Sequence, residues 1–221
     1  MLKLLFSILF FLHFINIYGE KIELSGGLIK NNYFDYSHDK EHFRSKYSSG
    51  NGYSIGFSLE KNIIDSFLLK STFKVENFEG ALYTSNGGLA GNRVTDIEVN
   101  TLCIGLDIYP LNTKILKVIN LNFGVSCNYL LKNEITGFQS WSGYFANGIQ
   151  YFSSQNSNSI NNNFRIGVIC RFAYEILVHN NLFLLPQYLF YLGLTNEFRN
   201  IEANTKSNRH SIEIGIMYKL K

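Results

Sequence analysis

Eight segments of the chain alternate apolar residues with small or polar ones, and the connections between them alternate between short and long. The segments cover approximately residues 21–30, 52–60, 66–76, 97–109, 119–131, 164–175, 182–194 and 210–220. A period of two is typical of a β-strand whose two faces meet different surroundings. No long stretch has the 3.6-residue periodicity of a helix. The sequence therefore predicts an all-β fold of eight strands.

The connections predict how these strands are arranged. Those after strands 2, 4 and 6 are short: "EKNIID", "PLNTKILK" and "ILVHNN". The other four are long and rich in Asn, Ser and Gly, and strict alternation places all of them at one end. Short turns at one end and long loops at the other are typical of an outer-membrane barrel. A hairpin hidden in the first or third long loop would raise the strand number to ten.

The composition of the two faces indicates which one meets lipid. One face carries Leu, Ile, Val and Phe, as in Leu24, Leu28, Ile55, Phe73, Ile104, Phe123, Val168, Ile212, Ile214 and Ile216. The other is dominated by Gly, Ser, Asn and Thr, whereas a water-facing surface is about 25–35% charged. Small residues suit the narrow lumen of an eight-stranded barrel. A soluble lipocalin-like barrel with the apolar face inside is the alternative.

Aromatic residues and charges extend this prediction. Tyr53, Tyr129 and Phe164 fall near the long-loop end, and Phe67, Tyr174 and Tyr218 near the short-turn end, as two interfacial girdles would. Charges on the small-residue face need partners, because an isolated buried charge costs several kcal/mol. We predict an eight-stranded antiparallel up-and-down transmembrane β-barrel with short periplasmic turns, long extracellular loops and a filled lumen. The expected lumen charge network is Glu60, Lys70, Asp107, Arg165, Arg171 and Glu213. A narrow passive channel for small solutes is the alternative.

The N-terminal segment predicts export. Lys3 precedes an apolar stretch over residues 4–17, and the segment "IYG" at 17–19 suits cleavage, so residues 1–19 are expected to be a signal peptide. Residues 20–221 would then form the barrel domain. The formal net charge is only +3 and the sequence has no run of basic residues, so nucleic-acid binding is not expected. Cys103, Cys127 and Cys170 lack metal-site spacing and are interpreted as free thiols.

The third long connection contains Trp141, Tyr144, Phe145, Tyr151 and Phe152. These aromatics suit either a hairpin that continues strands 5 and 6 or a contact surface for an extracellular ligand. The segment "GGLAGN" at 87–92 is interpreted as a mobile loop, since it lacks the features of a phosphate loop.

No catalytic, metal-binding or cofactor-binding residue is predicted. His210 and Ser211 are neighbours on a strand and should point to opposite faces. His38 and His42 have the spacing of a metal pair but lie outside any helical pattern. A lipid-modifying hydrolase would instead need His, Ser and an acidic residue to converge near the long-loop end.

The segments "GGLI" (26–29), "YLFYLGLTNEFRN" (188–200) and "RHSIEIGIMYKL" (209–220), together with the predicted signal peptide, resemble a known family. This family is the bacterial porin-family proteins with an outer-membrane β-barrel domain, small barrels like OmpX and the OmpA transmembrane domain. The last strand departs from the family's usual terminal aromatic residue, since the chain ends in Lys221. The resemblance implies an outer-membrane location and no catalytic residues. We expect a structural or surface-interaction role, with membrane lipid, the barrel-assembly machinery and an unidentified extracellular ligand as partners.

Overall fold

The computed structural model describes residues 20–35, 43–64, 67–88, 91–115, 118–143, 147–152, 162–198 and 205–220. Its strands are β1 (Lys21–Asp35), β2 (Phe43–Ile64), β3 (Phe67–Gly88), β4 (Gly91–Ile115), β5 (Ile119–Gly143), β6 (Asn147–Phe152), β7 (Phe164–Tyr174), β8 (Ile176–His179), β9 (Leu182–Gly193) and β10 (Thr205–Lys219). Within these ranges, no helix has the length and apolar character needed to cross a membrane. The predicted signal peptide lies outside the described residues.

Eight of the strands close into an antiparallel ring. The order is β1, β2, β3, β4, β5, β7, β9 and β10, and β10 closes the ring by pairing with both β9 and β1. Among the described residues β6 pairs only with β5, and β8 pairs with the start of β9, so neither adds a strand to the ring. The predicted eight-stranded up-and-down barrel is therefore confirmed. The third long loop does contain an extra hairpin, without changing the ring.

The strands of the ring are strongly staggered. If cross-strand partners are followed from Leu28 through β10, β9 and β7, they lead to Leu121 on β5. In the other direction they lead through β2, β3 and β4 to Lys132 on the same strand. Allowing for a bulge, the stagger is about ten residues, which tilts the strands steeply relative to the barrel axis.

Several strands are longer than the sequence predicted. β3 and β4 remain paired from Asn77↔Leu102 up to Gly88↔Gly91, so the predicted long loop between them is a hairpin. The interpretation of "GGLAGN" as a mobile loop was wrong at its ends, since 87–88 and 91–92 lie in paired strands. The physical reason is that Phe78 and Leu82 point inward and are buried, giving the polar-looking segment a core to pack against.

The outer face changes character at one level around the ring. Below that level the outward residues are apolar, ending at Leu28 on β1, Val75 on β3, Leu102 on β4, Leu131 on β5 and Ile212 on β10. Above it the next outward residues are Lys30, Asn77, Asn100, Lys132 and His210. We call the two parts the lower barrel and the upper barrel. The lower barrel has the outer surface of a lipid-facing wall, and the upper barrel that of a water-facing wall.

The polarity of the inward residues changes at about the same level, from mostly polar below it to mostly apolar above it. In the lower barrel most inward residues are polar or small, including Ser25, Ser58, Thr72, Asn122 and Ser126, and a smaller apolar cluster of Tyr109, Ile169 and Leu189 lies among them. In the upper barrel, inward side chains pack into one buried apolar cluster: Tyr33, Leu82, Ile97, Val99, Ile135, Phe152 and Phe198. The chain thus carries apolar side chains outward below the boundary and inward above it.

Glycine permits the narrow lower lumen. A side chain at Gly167 would lie 2.3 Å from the ring of Tyr191, and one at Gly27 would lie 2.1 Å from the carbonyl oxygen of Ile212. Both are far below any van der Waals distance. These two positions therefore have room only for a hydrogen atom, and the inward glycines seen in the sequence have a steric cause.

Candidate functional site

The candidate site is the lumen of the lower barrel, where two groups of buried charges are stacked. The first group surrounds Glu23 on β1. Its carboxylate forms an ion pair with Lys70 on β3 and accepts hydrogen bonds of 2.9 and 3.0 Å from Arg171 on β7. Arg171 also donates to Asn122 at 2.9 Å and to Gln187 at 2.5 Å. This group links strands on opposite sides of the lumen.

Glu213 on β10 extends the first group through neutral partners. It accepts hydrogen bonds from Ser54 at 2.6 Å, Ser211 at 2.9 Å and Gln187 at 3.2 Å. Because Gln187 also accepts from Arg171, the carboxylate is connected to the Glu23 group by a continuous chain of hydrogen bonds. Such a chain fixes the rotamers of the side chains across the lumen.

The second group lies around Glu76 on β3, nearer the upper barrel. The Lys74 ammonium lies 3.0 Å from the Glu76 carboxylate and 3.1 Å from that of Asp107. Arg209 on β10 reaches across to Glu76, and its guanidinium carbon lies 3.8 Å from the centre of the Tyr191 ring. The aromatic face and the carboxylate together stabilise a cation that has left water.

A further ion pair lies above these groups. Arg165 on β7 lies 2.5 Å from Glu197, which follows β9 and also accepts a hydrogen bond of 2.5 Å from Ser207. All three residues are buried. This pair joins the β9–β10 connection to β7 and lies next to Phe198 of the apolar cluster in sequence.

The structure places all six predicted network residues on the inward face, but not as one network. Each of the three outside the Glu23 and Glu213 groups pairs with a different residue, and these pairs are Glu60 with Lys21, Asp107 with Lys74 and Arg165 with Glu197. Among the described residues, no two of the six form an ion pair with each other. Their partners decide the arrangement.

Two lumen residues were not predicted from the sequence: Arg209, which pairs with Glu76, and Glu197, which pairs with Arg165. The predicted last strand began at residue 210, one residue too late to include Arg209. Extending the alternation backwards from Ser211 would have placed Arg209 on the inward face. Glu197 lies outside any strand pattern, so no periodic signal identifies it.

The charges of the two groups and the Arg165 pair balance. The cations of these groups are Lys70, Lys74, Arg165, Arg171 and Arg209, and their anions are Glu23, Glu76, Asp107, Glu197 and Glu213. The Lys21–Glu60 pair adds one charge of each sign. Equal numbers of the two signs leave the lumen formally neutral. Such an interior offers no field of one sign that would attract a particular ion.

Glu175 does not belong to the lumen groups. It lies at the short-turn end, where it accepts hydrogen bonds from Asn120 at 2.7 Å and from Lys114 at 2.9 Å. Partial burial raises the pKa of Glu175, but these hydrogen bonds more than offset it and hold the pKa below its ordinary value. Through these two hydrogen bonds, Glu175 links the end of β7 to Lys114 on β4 and to Asn120 on β5.

The aromatic residues of the third long connection are divided between surfaces. β6 pairs with β5 from Gly137↔Phe152 to Ser142↔Asn147, so the predicted hairpin is present. Phe152 is buried in the apolar cluster, whereas Tyr151 is 71% exposed and Trp141 is partly exposed beside Gly148. Residues 144 and 145 lie outside the described residues. Phe152 is therefore unavailable as part of a contact surface.

The histidines, Ser211 and the cysteines that the sequence analysis considered lie as follows. Ser211 is buried and points inward, while His210 points outward and contacts Tyr188, so the two do not form a nucleophile–base pair. Cys103, Cys127 and Cys170 are free, as predicted. His38 and His42 lie outside the described residues. Within the described ranges, no group of three or more His, Cys, Asp and Glu side chains could hold a metal ion.

A groove of about 430 Å³ lies on the upper barrel across β2 to β5. Its lining includes three carboxylates, Glu79, Glu98 and Glu134, together with Ser48 and Asn100. This groove is therefore rich in carboxylates, of which Glu134 pairs with Lys132. The opposite side of the upper barrel, formed by β10 and β1, carries Lys206, His210 and Lys30.

Known proteins resemble this chain in structure and not in sequence. No family profile matches the chain, and no curated protein has a significantly similar sequence. Neisserial surface protein A is 11% identical, with a TM-score of 0.42, and the match covers 90% of this chain and 97% of that one. The outer membrane protein OprG from Pseudomonas aeruginosa is 11% identical, with a TM-score of 0.41 and coverages of 92% and 98%. The attachment invasion locus protein Ail of Yersinia pestis, solved with the heparin analogue sucrose octasulfate, is 10% identical, with a TM-score of 0.36 and coverages of 90% and 98%. At these identities and scores, the similarity carries no argument about function.

Proposed function

We propose that the chain is an integral outer-membrane barrel with a closed lumen, and that its upper barrel and loops present a surface outside the cell. The observation that supports this is that both faces of the wall change between the lower and the upper barrel, and in opposite directions. Exposed Leu, Ile and Phe cover the lower barrel, and charges cover the upper barrel, where the apolar residues turn inward. A wall that is apolar outside and polar inside suits lipid, and the reverse suits water.

The proposal includes the route to the membrane. Residues 1–19 direct export and are removed, and the barrel-assembly machinery then inserts residues 20–221 into the bacterial outer membrane. The short turns face the periplasm, and the β1–β2, β3–β4, β5–β6 and β9–β10 connections face outward. This orientation follows the general rule for such barrels.

Two layers of side chains support a closed lumen. The charged groups around Glu23 and Glu76 cross the lower lumen, and the apolar cluster fills the upper barrel above them. An ion would have to separate paired charges and then pass the buried apolar cluster, and both steps are costly. The closed lumen favours a structural or surface-interaction role over the passive channel. A lipocalin-like barrel is disfavoured because the lower lumen is polar.

The proposal is tested by adding purified, refolded protein to planar phosphatidylcholine bilayers. We expect no stepwise conductance, although the same protein should show a folded band that shifts on boiling. Arg209→Ala with Leu82→Ala, which weakens both layers, serves as the comparison variant and should conduct if either layer acts as the barrier. Steady conductance of potassium chloride by the unmodified protein would contradict the closed lumen and favour the channel.

A further inference from the structure

The basic side of the upper barrel contains a group of side chains at the boundary with the lower barrel. Lys30 on β1 and His210 on β10 are direct cross-strand partners, and both point outward. Lys30 is exposed, and the His210 ring contacts the Tyr188 hydroxyl through its Nδ1 atom. The centre of the same ring lies 5.1 Å from that of Phe190. The imidazole is thus held in a fixed position beside a free lysine stem.

Directly below this group lies a shallow depression in the apolar wall. Leu28 and Ile212 are 74% and 72% exposed, more than the other outward residues of the lower barrel. Gly26 is the next outward residue below Leu28 on β1. A side chain there would meet only Ser54 oxygen at 3.5 Å, an ordinary contact, so the fold does not require glycine at this position. Because Gly26 has no side chain, a gap is left between Leu24 and Leu28 on the outer wall.

From these two features we infer that Lys30, His210 and Tyr188 bind the phosphate of an anionic lipid, with one acyl chain lying in the depression at Gly26. This inference rests on the proposed membrane location. Basic residues near a membrane surface attract anionic headgroups, and aromatic residues belong at the same depth. On the opposite side, the carboxylates of Glu79 and Glu98 line the groove and would repel the same headgroup, so the lipid is expected on one side of the barrel only.

The basic group by itself is open to water and could attract free phosphate, but the depression beside it is apolar. The proposed occupant is therefore a membrane lipid. Only a molecule with both an anionic head and an apolar tail would use the depression as well as the lysine. A lipid would also satisfy the exposed Leu28 and Ile212, which form the wall of the depression.

The test is native mass spectrometry of the refolded protein in detergent with dioleoyl phosphatidic acid or dioleoyl phosphatidylcholine. We expect preferential binding of phosphatidic acid. Lys30→Gln should weaken it about fivefold, the effect of one basic residue at a membrane surface. Gly26→Leu should weaken it as well by filling the depression, without changing the folded band on a gel. Lys132→Gln removes a lysine from the opposite side and is the matched control.

Three results would overturn the inference: no preference for phosphatidic acid, an equal loss in Lys132→Gln and Lys30→Gln, or displacement of the lipid by millimolar inorganic phosphate. The last would mean that the tail contributes nothing. Insertion into phosphatidylcholine vesicles is measured separately. A protein that inserts but shows no lipid preference contradicts only this inference, whereas a protein that does not insert contradicts the proposed function.

Discussion

Replacing Glu23 by Gln should destabilise the barrel strongly, although the substitution hardly changes the shape of the side chain. Glu23 is buried and faces two buried cations, Lys70 and Arg171. The gross attraction between its carboxylate and the Arg171 guanidinium at 2.9 Å is roughly 6 kcal/mol at an effective dielectric constant of about 20. Desolvation offsets part of that attraction, and removing one partner of a buried pair costs about 3–5 kcal/mol. We expect Glu23→Gln to lower the free energy of unfolding by that amount.

A second substitution should recover part of the loss. Adding Lys70→Met to Glu23→Gln restores the original net charge of the group, because one anion and one cation are then removed together. We expect the double variant to be about 1–3 kcal/mol more stable than Glu23→Gln alone, within the range of coupling between neighbouring residues. In the unmodified protein, Lys70→Met should destabilise. The sign of its effect therefore reverses with the residue at position 23.

The free energies are measured by urea titration in phosphatidylcholine vesicles, following far-ultraviolet circular dichroism and the gel shift on boiling. Glu134→Gln is the control, because its pair with Lys132 has the same chemistry but is exposed. Breaking that pair should cost about 0–1 kcal/mol. A Glu23→Gln cost no larger than that of Glu134→Gln, or equal destabilisation by Lys70→Met in both backgrounds, would contradict a buried charge group whose members depend on one another.

Three further predictions follow from the faces of the strands. Ile214→Arg, at an outward position of the lower barrel, should cost about 2–4 kcal/mol by the same urea titration, and Asn32→Arg in the upper barrel about 0–1 kcal/mol; equal costs would contradict the lipid-facing wall. Leu82→Ala should cost about 2–5 kcal/mol and speed amide hydrogen exchange in the upper barrel alone, whereas a uniform increase would contradict a separate upper core. In vesicles, neither a membrane-permeant maleimide nor a charged thiosulfonate should label the outward thiols of Cys127 and Cys170 until urea unfolds the protein, because a thiol that faces lipid does not ionise to the reactive thiolate; labelling of the folded protein would place these thiols in water.

The barrel itself could be predicted from the sequence because its signal is local. Alternation along single strands and the order of short and long connections depend only on neighbouring residues. The upper barrel was missed for a physical reason. Segments such as 77–88 contain Asn, Ser and Gly, which usually mark loops, and the apolar residues that order them, such as Phe78 and Leu82, point inward only there.

The composition of the lumen was predictable, but its pairing was not. Arg171 was expected to face inward from its place in the alternation, yet its contact with Glu23 joins residues 148 positions apart. That contact depends on the stagger of the strands around the ring, which no single strand reveals. Arg209 was missed through a strand boundary, and Glu197 because it lies outside the strands.

The most direct test of a membrane-spanning lower barrel is the accessibility of spin labels placed one at a time on β1 in a variant without cysteines, at Leu24, Ser25, Leu28, Ile29, Lys30 and Asn32. The protein is refolded into phosphatidylcholine vesicles, and relaxation by oxygen is compared with relaxation by a water-soluble nickel complex. We predict oxygen access at Leu24 and Leu28, little access to either reagent at Ser25 and Ile29, and nickel access at Lys30 and Asn32. Nickel access at Leu24 and Leu28 would contradict a membrane-spanning lower barrel.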